Sequence, residues 1–280
     1  MNSNPTDNTP NTAPTRLDLL VMRQTGFSRE YSQEVIAKGF VSHNGKPLTK
    51  PGAKLAPDTA LVVTADKMKY VSRGGYKLEK AVEVFGISVH NNTCIDIGAS
   101  TGGFTDCLLQ AGARKVYAID TGTNQLADAL RGDPRVVAME NTNIREIAPA
   151  DIGEAADCIT IDVSFISLEK ILPHAAALLA DGGVMIALVK PQFEAGRAHL
   201  NCSGVVSDPK VRLSVLNSIY TALPTHGLSA HGCIASPISG QNGNMEFLLA
   251  LHKHNSTNSG MTADAFRQAA KTAVSTKPSS

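Results

Sequence analysis

IDIGASTGGF, residues 95–104, decides the fold. An apolar run ends at Ile97, small residues follow that let the backbone approach a ligand, and the next segment can start a helix whose first amides face the same point. A nicotinamide loop would read Gly-x-Gly-x-x-Gly, yet Ser100 stands two positions after Gly98 and Asp96 precedes the glycines. Outward from this loop, strand-like apolar runs recur at 94–97, 115–119, 135–139, 158–161 and 184–189, with a last pair near 228–235 and 245–251. Helical stretches separate them. The alternation predicts an α/β fold, a mostly parallel sheet covered by helices on both faces, with ligands beyond the carboxyl ends of the strands.

Composition narrows the class. The 280 residues are 42% hydrophobic and 18% charged, and the longest clean apolar stretch, 184–189, is far too short to span a bilayer. Residues 1–14 are rich in Asn, Thr and Pro and lack a charged-then-apolar pattern, so a disordered tail, no signal peptide and a cytoplasmic location are expected. The five cysteines lie apart with no CxxC pair, which predicts reduced thiols and no zinc site. Net charge is only +1, but residues 14–80 hold twelve Lys/Arg against six acids, leaving +6 there and −5 elsewhere. A polyanion-binding module joined to a mildly acidic domain accounts for that split.

The basic module covers 15–64. A helical pattern opens at Arg16-Leu17-Asp18 and stops at Gly26, Ser28 can cap a second helix that ends near Gly39, and FVSHNGKPL turns at Asn44-Gly45. Two helices on a small hairpin are expected. RLDLL, SRE…VIAKGFVSHNGK and KPGAKL resemble the S4 RNA-binding domain, a small α+β unit. That resemblance implies that Arg16, Arg23, Arg29, Lys38, His43 and Lys46 face RNA, with Arg73 beyond the 65–69 linker as a further contact.

The second domain is expected over 70–252. Asp96, Gly98 and Gly102 form Asp-x-Gly-x-x-x-Gly, which resembles the Rossmann-like class I methyltransferases; with Ser100 and Gly103 this loop would cradle the cofactor, Asp96 holding its methionine part. Asp120 ends the second strand, where an acid can accept both ribose hydroxyls, and Asn143 occupies the adenine position. Asp162 ends the fourth strand. It is followed by Val-Ser-Phe, not by the Pro-Pro-aromatic pattern of amino-group methyltransferases, and no cysteine is placed for attack on a base carbon. A ribose oxygen remains. Lys190 follows six apolar residues and precedes Pro191, Glu246 opens the last strand, and Lys77 lies on the first helix. The tail over 253–280 is expected to be disordered or to hold a short helix through 263–273.

Taken together, RGGYKL, IDIGASTGGF, ITIDVSFISL, ALVKPQFEAG and GNMEFLLAL, with the S4-like module ahead, closely resemble the TlyA family of ribosomal RNA methyltransferases across about 15–252. The resemblance implies S-adenosyl-L-methionine as cofactor and ribosomal RNA or a ribosomal subunit as partner. It also implies a Lys77, Asp162, Lys190, Glu246 catalytic set acting on a cytidine 2′-hydroxyl of 16S and/or 23S RNA. Lys190 is the expected base, and neither a metal, a membrane nor an obligate protein partner is called for. Two rivals stand beside it: a non-catalytic RNA-binding or assembly factor, and a membrane-active hemolysin, a label the family carries.

Overall fold

The computed structural model describes residues 13–65, 68–253 and 260–278. Most of the tail expected over 1–14, and positions 66–67 of the 65–69 linker, lie outside the described residues. The chain divides into two compact units, residues 1–72 and 73–280.

In the first unit, β1 (Thr15–Arg16) leads into α1 (Leu17–Thr25), and α2 (Arg29–Ala37) follows. The Ser28 hydroxyl accepts from the Tyr31 amide at 3.2 Å, closing the start of α2 as its position predicts. β2 (Val41–His43) turns into β3 (Lys46–Pro47) through Asn44 and Gly45, whose φ angles of 48° and 74° are those of a tight hairpin turn. β4 (Lys54–Leu55) pairs with β1, and β5 (Val62–Val63) with β2. Leu17, Val21, Val35, Ile36 and Val41 form the core between the helices and the small sheet.

The second unit runs α3 (Gly74–Phe85), β6 (Thr93–Ile97), α4 (Gly103–Gln110), β7 (Lys115–Ile119), α5 (Asp128–Arg131) and β8 (Val136–Met139). It continues with α6 (Pro149–Ile152), β9 (Ala156–Ile161), α7 (Leu172–Leu178), β10 (Leu179–Val189), α8 (Pro191–Glu194) and α9 (Pro209–Ala222). β11 (Leu228–Ala235), β12 (Phe247–Lys253) and α10 (Ala263–Ser275) close it. The seven strands lie in the order β11-β12-β10-β9-β6-β7-β8, parallel except for β12, which is antiparallel to both neighbours. Strand order reverses between β6 and β9. The loops after those two strands therefore diverge and open a crevice at the carboxyl edge.

The pleat assigns the two faces. Ile95, Ile97, Ile159, Ile161, Met185, Ala187 and Leu249 join Leu172, Leu216 and Phe266 in one core beneath α7, α9 and α10. The alternate residues, Asp96 and Thr160 among them, turn to the face where Thr105 of α4 lies.

Three boundaries differ from the sequence reading. β10 begins at Leu179, with irregular pairing to β9 before Val184, and β12 begins at Phe247, so Glu246 stands just ahead of the strand. The C-terminal segment holds the helix rather than a bare tail. Phe266, Ala270 and Ala273 recur at helical spacing and are buried, with Phe266 stacked 4.4 Å from Tyr220. α10 thus belongs to the second unit, which does not end at 252.

Candidate active site

Topology brings three of the four expected catalytic residues to one edge. Val189 pairs with Phe247 and Ala187 with Ile161, so Lys190, Glu246 and Asp162 occupy the ends of three neighbouring strands. The fourth, Lys77, rides on α3, which packs against β12. Two contacts result. Lys77 Nζ donates to Glu246 Oε2 at 2.6 Å, with the two side chains only 12% and 3% exposed, and Lys190 Nζ forms an ion pair with Asp162 Oδ1 at 2.6 Å. Lys190 also donates to Ser164 Oγ at 2.8 Å.

Several groups that support this arrangement went unnoticed in the sequence. Ser164 is one. Glu194 is another: its carboxylate accepts from Ser167 Oγ at 2.7 Å and from the Leu168 amide at 2.8 Å, tying α8, which follows Lys190, to the loop that follows Asp162. Burial pushes the Glu194 carboxyl up. Gly240 is a third, because a Cβ there would run into the Glu246 carboxyl. A carboxylate four positions after the motif lysine could have flagged Glu194; no sequence signal marks Gly240.

Beside the Lys190–Asp162 pair lies a cavity of about 440 Å³ lined by Gly98, Ser100, Asp120, Asn143, Asp162 and the loop carrying Ser164 and Phe165. Gly98 has a φ of 85°, and a Cβ on it would strike the carbonyl of Asp162, so a glycine is what allows the ends of β6 and β9 to approach. Asp120 accepts from the Ser100 amide at 2.8 Å and the Gly122 amide at 2.7 Å, which fixes the carboxylate at the cavity wall.

Other expected contacts sit differently. Asp96 is fully buried, accepting from Thr105 Oγ1 at 2.7 Å and Thr160 Oγ1 at 2.9 Å, and does not line the cavity. Gly102 and Gly103 do not line it either; a Cβ on Gly102 would meet Leu126 and Leu130, so that glycine serves packing. Asn143 does line it, but its Oδ1 accepts from the Arg145 amide at 3.1 Å and from Arg145 Nε at 3.2 Å. The amide nitrogen, rather than the oxygen expected to meet the adenine amino group, is what Asn143 has left to offer a ring acceptor.

The cavity lining fits a cationic cofactor, since Asp120 and Asp162 place two carboxylates on its wall, and the buried Asp96 behind that wall can add only its field. Burial, with a contribution from the Asp162 charge, pushes the Asp96 carboxyl up to about 6. Relative to 3.8 for an ordinary aspartate, ionising it in the fold costs roughly 3 kcal/mol, a cost that sets in as pH rises toward 6 and that a bound cation offsets. Below about 6 the carboxyl is protonated and this attraction is lost. S-adenosylmethionine affinity, followed by calorimetric titration, should therefore fall as pH is lowered from about 7.5 to about 5. A flat profile would remove Asp96 from the cofactor's electrostatics.

On the first unit, the expected RNA-facing residues fall into two groups. Arg23, Arg29, Lys38 and Lys46 are exposed, but Arg29, like the half-buried Arg16, contacts the buried Asp18, Lys38 pairs with Glu34 at 3.0 Å, and the His43 ring contacts the Ala60 carbonyl at 2.8 Å. Arg73 precedes the first turn of α3 in the other unit.

Comparison with known proteins agrees with the geometry. The FtsJ-like methyltransferase family model matches residues 70–253. The 16S/23S rRNA (cytidine-2′-O)-methyltransferase TlyA of Mycobacterium tuberculosis is 40% identical over 260 residues, covering 92% of this chain and 96% of that protein. Hemolysin A of Brachyspira hyodysenteriae is 44% identical over 222 residues, 79% and 92% of the two chains. A solved structure from Streptococcus thermophilus that carries a hemolysin designation superposes with a TM-score of 0.75 at 43% identity, covering 94% of this chain and 96% of that one. The glycine loop at the strand switch, the lysine–carboxylate contacts along the same sheet edge, and similarity across most of both chains agree: this chain belongs to the TlyA family of FtsJ-like, S-adenosylmethionine-dependent methyltransferases.

Proposed function

We propose that the protein methylates the ribose 2′-hydroxyl of a cytidine in 16S and/or 23S ribosomal RNA, with Lys190 taking the hydroxyl proton. The observation that carries this reading is the Lys190–Asp162 contact at the cavity wall, with the Lys77–Glu246 contact at the same sheet edge on the other side of β10. S-adenosylmethionine, when bound, supplies the methyl group on a sulfonium sulfur. A ribose hydroxyl is a poor nucleophile, so a base must accept its proton as the oxygen attacks in line. Lys190 can do this in its neutral form, while Asp162 and Ser164 hold Nζ in place. Lys77 and Glu246 orient the hydroxyl from the opposite side of β10.

The target base has a surface to rest on. Phe165 is 85% exposed in left-handed backbone at φ 65°, an uncommon conformation for a bulky residue, and its ring stands 4.9 Å from that of Phe193. An exposed aromatic ring on the cavity lining, backed by the half-buried Phe193, suits stacking by an unpaired nucleobase. The S4-like first unit supplies phosphate contacts that position the RNA without reading its sequence. The relative from M. tuberculosis, named as a 16S/23S rRNA cytidine-2′-O-methyltransferase, supports both the reaction and the substrate.

Ribosomal subunits lacking the modification, incubated with the full chain and tritiated cofactor, should acquire label in RNA, and mapping should place it on a cytidine 2′-oxygen. Tight RNA binding without label transfer would favour the assembly-factor reading. Some relatives carry a hemolysin designation; no helix among the described residues is long and apolar enough to cross a membrane.

A further inference from the structure

Asp18 is enclosed by its surroundings, yet it lies at the meeting point of two arginines from different elements. Arg16, at the end of β1, grips the carboxylate with Nε and Nη2, each at 2.9 Å, and Arg29, at the start of α2, reaches it with Nε at 3.4 Å. Gln33 Nε2 adds a bond at 2.9 Å, and the Leu19 amide one at 3.1 Å. The backbone is pinned as well, with the Asp18 amide donating to the Pro51 carbonyl at 3.0 Å. The neighbouring Arg16 guanidinium holds the Asp18 carboxyl well below the usual carboxylate range. Asp18 is therefore a fixed anion under all ordinary conditions.

Both arginine side chains remain about half exposed while their acceptor is wholly buried. A guanidinium has five N–H donors in a rigid plane, so those not turned toward Asp18 face outward at a set angle. Two cations share one carboxylate, which leaves a net positive charge at the surface.

We propose that Asp18 is the positioning residue of a two-arginine clamp, Arg16 and Arg29, that binds RNA phosphate. The inference rests on the RNA-binding reading of the first unit and assigns a role to an acid that this reading leaves unexplained. Free arginines would lose side-chain entropy on meeting a phosphate; arginines already held by a buried carboxylate lose less. Removing a negative charge normally strengthens binding to a polyanion. Here the sign reverses.

The test uses the full chain, in vitro transcribed 16S and 23S RNA, and a potassium chloride series. Asp18→Asn, although it raises net charge by one, should weaken binding about tenfold and flatten the slope of log affinity against log salt by roughly one unit, the signature of a lost phosphate contact. Arg16→Lys keeps the charge and sits at a half-exposed position, so it should fold even where Asp18→Asn does not, and it should weaken binding similarly because an ammonium lacks the fork. Cofactor titration of each variant reports whether the second unit is intact. Equal or tighter binding by a folded Asp18→Asn variant overturns the proposal, as does unchanged affinity and slope in Arg16→Lys if Asp18→Asn does not fold. Failure of the unaltered protein to bind either RNA would instead defeat the reading on which the inference rests.

Discussion

Lys190→Ala should lower methyl transfer by at least about 100-fold, the lower range for loss of a positioned proton acceptor, while cofactor affinity stays within about twofold. The separation follows from position. Lys190 stands just past β10 and contacts Asp162 and Ser164, but it is not part of the cavity wall formed by Gly98, Ser100, Asp120 and Asn143. Single-turnover label transfer and calorimetric titration measure the two quantities independently. Lys190→Arg decides what the lysine contributes. Arginine retains the positive charge beside Asp162 but stays protonated, so a purely electrostatic role would survive the change and a base role would not. Near-normal turnover in Lys190→Ala would take this residue out of the mechanism.

The sheet could be read in advance because each strand is an apolar run bounded by turn residues, and strand ends in such folds carry the chemistry. Asp162 and Lys190 follow directly from that logic. The role of Asp96 does not, although the clue is local: successive strand residues face opposite ways, so the acid between Ile95 and Ile97 turns from the apolar core those two enter. Knowing that hydroxyls await it there requires the register that sets Asp96 opposite Thr160 on β9, and pairing between strands separated by two others in the chain is not encoded locally. α10 shows a similar limit. The spacing of Phe266, Ala270 and Ala273 marks a helix face, but a short helix is stabilised mainly by what it packs on, and that surface on β11 and α9 is supplied by distant sequence. Gly240 was invisible because its task is to leave room for a carboxyl that folding brings beside it.

Glu246→Ala should destabilise the second unit by about 3 kcal/mol and also remove activity, and a paired substitution can separate the two effects. Glu246 is 3% exposed and bonds at 2.6 Å to Lys77, itself 12% exposed, so truncation takes the carboxylate from a largely buried ammonium. Replacing both members with apolar residues of similar volume, Lys77→Met with Glu246→Leu, leaves neither charge behind; such exchanges are often neutral or stabilising. Thermal melts should therefore show the single variant well below the wild type and the double variant recovering most of the loss. Methyl transfer should recover in neither. If the contact existed only to hold α3 against β12, restoring stability would restore turnover, and an active double variant would strike both residues from the catalytic set. A stable but inactive one means that the fold carries a buried ion pair which an apolar pair could replace, and that the pair is needed for turnover. The free-energy difference between single and double variants then measures the buried charge, while the turnover they both lack measures the chemistry.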